Sequence, residues 1–423
     1  MMAIIKYELK KIFQNKLFIR ALILCALAMS VMSAITVVQY KSGTRGSSYP
    51  VEYMKSQKMP EVFVSNNNID HLRRQLHEFE SRDEIYYLTK DEELADYKDG
   101  GSVYYGRNDV DIEYYFSQYD AGKITESELL KATDFSGVTA IKKEYLPEYF
   151  KYYQPVNEYD NKVAAVRRNE IYDEESAKSQ YYKQYSEFLK EKEKEELKKG
   201  FTVGYDYGWE NFYSILANDI GVLLVIVLIF GLQSVFTSEY VLSTDAFLLS
   251  SKNGKGTLAL CKITASLIYT TICFLSYTLL ALLISFIFLG ADGANVGDEE
   301  SNLDKLFTVI PFILLGSYLI CFISLAVSSF CKKQITSIVF SCFVCLLPLF
   351  AEWIYIDNIY VSQLFDVMPV SMVFGAYISN TRYFYWDSSF IDLRYIFPFV
   401  AIIVIAICIP ITFKKYCNHQ VSN

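Results

Sequence analysis

The chain has 423 residues, 52% of them hydrophobic and 16% aromatic, and a formal net charge of −8. Residues 41–212 hold 25 Lys and Arg against 34 Asp and Glu, so an acidic, Tyr-rich stretch interrupts an otherwise apolar chain. That balance does not suit nucleic acid, which calls for basic patches. All nine cysteines lie outside 41–212, which argues against a disulfide-stapled outer domain.

In chain order, the first element is a short basic segment. Ile5, Leu9, Ile12 and Phe13 recur at helical spacing, while Lys6, Glu8, Lys10 and Lys11 supply charge. The pattern predicts an amphipathic helix over 1–16 along the inner membrane face, its cations near anionic headgroups. An apolar run over 17–40 follows, long enough to cross the hydrocarbon layer as a helix. The basic flank resembles that of a signal peptide. The run is too long for an h-region, however, and 31–40 offers no small-x-small cleavage site, so we read an uncleaved first span.

Residues 41–212 read as a mainly helical domain. Ile69, Leu72, Leu76 and Phe79 predict a helix within 68–88. The charged stretch 160–199 predicts a helix of about 40 residues, roughly 60 Å long at 1.5 Å per residue. Glu174/Lys178 and Glu195/Lys199 would support it as i,i+4 pairs, and Gly200, Gly204 and Gly208 would break it. The expected shape is a helical stalk or hairpin packed by tyrosines, 21 of the chain's 35 lying in this domain. The stretch 120–128 resembles the tail of a calcium loop, but Ser117, Tyr119 and Ala121 occupy the first ligand positions and supply no carboxylate. It reads instead as a helix stop at Gly122 and a capping box from Thr125 to Glu128.

Five more apolar runs crowd the second half, at about 214–236, 258–289, 306–330, 335–356 and 394–413. The expected fold is therefore an all-α polytopic membrane protein. It has six transmembrane helices, a helical extracellular domain over 41–212, a five-helix region over 213–416 and a tail over 417–423. Basic residues set the orientation. With the N-terminus inside, Lys6, Lys10, Lys11, Lys16, Arg20, Lys252, Lys255, Lys262, Lys332, Lys333, Lys414 and Lys415 fall on the cytoplasmic side. The short outer loops hold only Lys305, Arg382 and Arg394 amid a surplus of acids. Both termini are expected in the cytoplasm and the large domain outside.

Catalytic signatures are missing from the sequence. The string Asn253-Gly-Lys-Gly-Thr257 lacks the glycine spacing and Lys-Ser/Thr end of a P-loop. His71 and His77 are six apart and do not share a metal-binding helix face, and no Cys pair has the spacing of a zinc site. The spans contain almost no charge; Asp219 and Glu352 lie near span ends, where solvation is expected. Ion-coupled carriers place ionisable groups at mid-membrane, so the energy source is expected outside this chain.

The basic N-terminal helix, six spans and charged first inner loop resemble the permease of ABC-2 type ATP-binding-cassette exporters. The match begins at Phe236-Thr-Ser-Glu-Tyr-Val-Leu-Ser-Thr-Asp-Ala-Phe-Leu-Leu-Ser-Ser-Lys-Asn-Gly-Lys255 and continues to Leu260-Cys-Lys-Ile263. Glu239, Leu248, Leu249, Lys255 and Lys262 match the family pattern. Ser243-Thr244 replaces its Gly-Thr pair, and Ser251 its turn proline. The stretch 365–375 resembles the short re-entrant helices before the last span of that family.

The resemblance implies an ATP-driven export permease of the bacterial plasma membrane, paired with a second permease copy and contacting membrane lipid, with no nucleic acid. Its cargo would be amphipathic: a peptide, lipid or drug. A separate ABC ATPase subunit would carry ATP and Mg, leaving no cofactor on this chain. That subunit would dock against Lys6, Lys10 and Lys11 and against Glu239, Tyr240, Lys252 and Lys255. The competing expectation is a non-transport scaffold or receptor of a secretion or phage-infection system with the same one-plus-five topology.

Overall fold

A computed structural model describes residues 1–41, 61–82, 105–106, 118, 121–125, 139–140, 146–175, 180–217, 221–242, 256–298, 300–351, 359–373, 383–387 and 389–417. The chain divides into two compact units. One comprises Met1–Tyr53, Ser179–Phe188 and Asp206–Asn423; the other comprises Met54–Lys178 and Leu189–Tyr205.

The first unit is an all-α polytopic membrane domain. Helix α1 (Met2–Phe13) stops at Gln14. The Asn15 side chain then accepts from the Leu17 N–H at 2.9 Å, which starts α2 (Lys16–Lys41). Among the described residues five helical stretches are long and apolar enough to cross a membrane: Lys16–Tyr40, Tyr207–Glu239, Gly256–Leu289, Asn302–Phe330 and Leu393–Cys417. The expected span over 335–356 is a shorter helix, Gln334–Ala351, about 27 Å long; 352–358, with Glu352, lie outside the described residues.

The second span starts at Tyr207, earlier than the expected 214. Trp209, Phe212 and Tyr213 are buried there, with the Trp209 ring 4.9 Å from that of Phe286. Asp219 lies outside the described residues.

After α2 the chain order is β1 (Val62–Val64), α3 (Ile69–Glu80), an antiparallel pair of two-residue strands (Tyr105–Gly106 with Thr139–Ala140), α4 (Leu146–Glu175), α5 (Gln180–Lys199) and β2 (Phe201–Val203). α3 buries Ile69, Leu72 and Phe79, as its spacing predicts. The single long helix expected over 160–199 is instead the end of α4 followed by α5, which double back in the second unit. Val156 and Val166 share a core with Leu197, and Lys162 pairs with Glu196 at 3.5 Å. A rod would leave those apolar faces wet; folding it over buries them. Glu195–Lys199 closes at 3.1 Å as expected; Lys178 lies outside the described residues.

Gly200 follows α5 with φ +84°, a conformation that costs glycine no Cβ clash. It turns the chain into β2, which pairs antiparallel with β1, Val62 opposite Val203. This ladder was not expected, because three-residue strands are too short for a period-2 signal. Gly122 has φ +66°, fitting the helix-stop reading, whereas Glu128 lies outside the described residues.

The remaining elements belong to the first unit. They are α6 (Tyr207–Ala217), α7 (Gly221–Leu232), α8 (Ser234–Leu242), α9 (Gly256–Leu289), α10 (Asn302–Phe330), α11 (Gln334–Ala351), α12 (Ile359–Asp366), α13 (Pro369–Val373), β3 (Tyr383–Trp386), β4 (Ser389–Asp392) and α14 (Leu393–Cys417). The stretch 365–375, likened to re-entrant helices, takes in the end of α12 and all of α13, with 374–375 outside the described residues. Met372 and Val373 are buried against Gly316, near the middle of α10, where an added Cβ would lie 2.9 Å from Met372 Cβ. The hairpin β3–β4 packs its Tyr385 and Phe390 rings on Tyr181 and Tyr185 of α5. These four rings are half-buried.

Candidate functional site

The described charges that flank the spans of the first unit gather at two ends of the membrane domain. At one end meet α1, the end of the second span, the start of α9, the loop after α10 and the end of α14. Lys6, Lys10, Lys11, Lys332, Lys333, Lys414 and Lys415 lie there. At the other end Tyr40 and Tyr207, which bracket the 41–206 stretch in sequence, stand ring to ring at 5.8 Å. Asn302 donates there to Asp206 at 3.0 Å, and Arg394 pairs with Glu300 at 2.9 Å and Asp392 at 2.7 Å.

The basic end has a buried ionic centre. Lys262 lies two turns into α9 and is fully buried. Helical side chains lean toward the N-terminus, so its ammonium reaches back toward α1 and α8. There it meets three acceptors: Glu8 Oε2 at 3.1 Å, the Val235 carbonyl at 2.7 Å and Glu239 Oε1 at 2.7 Å. The Glu239 contact is an ion pair off the hydrogen-bond direction. Glu8 and the Val235 carbonyl take two of the three donors of the ammonium, and Glu239 balances its charge. Glu239 Oε2 accepts from the Tyr416 hydroxyl of α14 at 2.9 Å, and Phe236 lies beneath, its ring 5.6 Å from Lys262 Nζ and 5.1 Å from the Tyr416 ring.

Lys11 stands 3.8 Å from Glu8 and balances the second carboxylate. Burial, and then the neighbouring Lys262 ammonium, pushes the Lys11 ammonium below its ordinary value. Ions buried this way cost several kcal/mol each unless paired and fully hydrogen-bonded. The centre therefore holds α1, α8, α9 and α14 in one mutual arrangement.

A ladder of hydrogen bonds continues along the second span and α9. Tyr269 donates to the Val227 carbonyl at 2.7 Å, Tyr277 to the Ile215 carbonyl at 2.9 Å, and Asn211 to Ser285 at 2.8 Å. Gln233, at the break between α7 and α8, is fully buried. Its amide donates to Ser341 at 3.0 Å and accepts from Ser337, both on α11, and its backbone carbonyl accepts from Ser328 of α10 at 3.3 Å. Polar side chains facing one another in an apolar bundle act as interhelical glue.

Of the residues expected to meet a partner, Lys6 and Lys10 are exposed on α1, and Lys11 is half-buried beside Glu8. Glu239 is buried, and its carboxylate is engaged inside the chain. Tyr240 continues α8; Lys252 and Lys255 lie outside the described residues. The expectation of almost no charge within the spans is corrected by Lys262 and Glu239, which sit buried in two spans because each neutralises the other. Sequence reasoning counted Glu8 and Lys262 only as charges of the N-terminal helix and the first inner loop, and assigned no role to Tyr416 or Gln233. Two signals pointed to the first two: a lone acid among basic residues, and a lysine inside a long apolar helix that demands a partner. Among the described residues no group of three His, Cys, Asp or Glu side chains is placed to hold a metal ion.

The family model described as "ABC-2 family transporter protein" matches residues 2–358. No curated protein and no solved structure matches the chain significantly.

Proposed function

The chain belongs to the ABC-2 family of transporter proteins, and from that premise we propose that it is an export permease whose basic end faces the cytoplasm. Family membership makes it a multi-pass permease component of an ABC transporter, working with an ABC ATPase subunit. The finer reading follows from charge. Basic residues favour the cytoplasmic side, so the end carrying α1 would face the ATPase, and the acidic end and residues 41–206 would face out. The short α11 would make the sixth span. ATP and Mg would bind the partner, and a second permease copy would complete the pathway for an amphipathic cargo.

The Glu8–Lys262–Glu239–Tyr416 centre carries this reading. α1 presents Lys6 and Lys10 to solvent and is fastened by Glu8 to Lys262. A displacement of α1 by the ATPase would reach the second, third and last spans without first breaking a buried ion pair. Glu239 then acts as a positioning residue rather than a direct docking contact.

The test uses the full chain copurified with its ABC ATPase and sealed in inside-out vesicles. ATP-dependent accumulation of a labelled cationic amphipathic peptide or a short-chain fluorescent phospholipid is the expected result. Accumulation only in right-side-out vesicles would overturn the export direction. Recovery of the chain without any nucleotide-hydrolysing partner would favour a scaffold. Asp304→Cys labelled by an impermeant maleimide in intact cells, with Lys333→Cys unlabelled, checks the orientation; the reverse pattern refutes it.

A further inference from the structure

At the basic end the chain passes from α10 to α11 through Cys331, Lys332 and Lys333. An open groove of about 590 Å³ lies here, lined by Val327, Phe330 and Lys332 on one side and Lys333, Phe340 and Val344 on the other. Its composition changes with depth. Lys332 and Lys333 stand exposed at the mouth. Below them Phe340 and Val344 are 55% and 42% exposed, on the same helix face as Thr336. From Thr336 to Val344 the wall runs about 12 Å down the helix at 1.5 Å per residue.

The two lysines differ from the buried Lys262 and the half-buried Arg394 of this unit. Lys262 and Arg394 are bound to carboxylates. Among the described residues no carboxylate lies within ion-pair distance of Lys332 or Lys333. A third cation, Lys415, is held 5.0 Å over the Phe330 ring at the same rim. The first turn of α11 adds backbone N–H groups with no intrahelical acceptor, which favour an anion. The site thus presents cations and N–H donors at the level where helices emerge from the apolar layer, with an exposed apolar wall running inward from them.

We propose that this groove binds an anionic phospholipid, its phosphate against Lys332 and Lys333 and an acyl chain along Phe340 and Val344. Only an occupant with negative charge at one end and a hydrocarbon tail of membrane depth matches both parts of the site. The site does not depend on the direction of transport.

The test is lipid binding to the purified full chain in neutral detergent, read by native mass spectrometry during titration with phosphatidylglycerol or phosphatidylcholine. Phosphatidylglycerol is expected to bind more tightly. Each lysine near an anionic headgroup contributes about fivefold, so Lys332→Gln with Lys333→Gln should weaken phosphatidylglycerol binding roughly 25-fold. Lys332→Arg with Lys333→Arg should restore it, and Phe340→Ala should weaken both lipids. Lys6→Gln with Lys10→Gln, an equal loss of charge on α1, should leave binding unchanged. An equal loss in that control would reduce the effect to diffuse attraction and overturn the site. So would equal binding of the two lipids, or competition by glycerol 1-phosphate as effective as the whole lipid. A lipid-free dimer that the Lys332/Lys333 double substitution dissolves would assign the groove to a second copy instead.

Discussion

The two ends of the membrane domain handle charge differently. At the basic end, Lys262 and Glu239 are almost wholly removed from solvent, and their contacts join helices far apart in sequence. At the acidic end, Arg394, Glu300 and Asp392 remain partly exposed, and Asn302 ties loop backbone by donating to the Gly293 carbonyl at 3.0 Å. The first arrangement fixes the relative position of helices, because any separation strands a buried ion. The second fixes loops, and water can replace the partners that Arg394, Glu300 and Asp392 lose on separation.

Lys262→Met should break the comparison most severely. It leaves Glu8 and Glu239 buried without their cation, which should cost about 3–5 kcal/mol and lower the Tm of the detergent-solubilised chain sharply. Adding Glu8→Gln and Glu239→Gln should recover most of that loss while leaving partner ATPase stimulation impaired. If the triple variant stimulates ATP hydrolysis as the unsubstituted chain does, the ionic centre has no coupling role.

Gly316→Val tests a contact that depends on shape alone. The new side chain meets Met372 and Val373 on α13, and overpacking of this kind should cost about 1–3 kcal/mol. An unchanged Tm would mean that α13 does not seat against α10.

Tyr416→Phe should be milder, about 1 kcal/mol for one lost hydrogen bond to Glu239, because Lys262 still faces the carboxylate. At the acidic end, Arg394→Gln should cost less than about 1 kcal/mol, since solvent already screens the pair. Equal Tm losses for Arg394→Gln and Lys262→Met would erase the contrast between the ends.

The smallest effect expected is a pH dependence at Asp206. Burial raises its carboxyl above the ordinary value, opposed in part by the Asn302 amide and Lys305. The folded state therefore holds this proton more tightly than the unfolded one. That contribution to stability is complete below the ordinary carboxylate value, about 4, and is lost as pH rises through the raised value. Asp206→Asn should thus unfold at a slightly higher temperature than the unsubstituted chain at neutral pH, the gap closing as pH falls toward about 4. A gap that widens on acidification would show the sign to be wrong.

Hydropathy and helical spacing alone determined that this chain is an all-α membrane protein, where most of its spans run and that α1 would carry Ile5, Leu9, Ile12 and Phe13 on an apolar face. These are local properties: 20 or so consecutive apolar residues, or an i,i+4 repeat, carry their consequence wherever they occur. The partners of the charges were not local. Glu8 and Lys262 are 254 residues apart, and only the packing of α1 against α9 makes them neighbours. The doubling of α4 on α5 likewise required Val166 to find Leu197, and the β1–β2 ladder required Val62 to find Val203. Tertiary structure decided these pairings because a buried ion or an unpaired apolar face is stable only beside its complement, and a linear pattern does not say which distant segment supplies it.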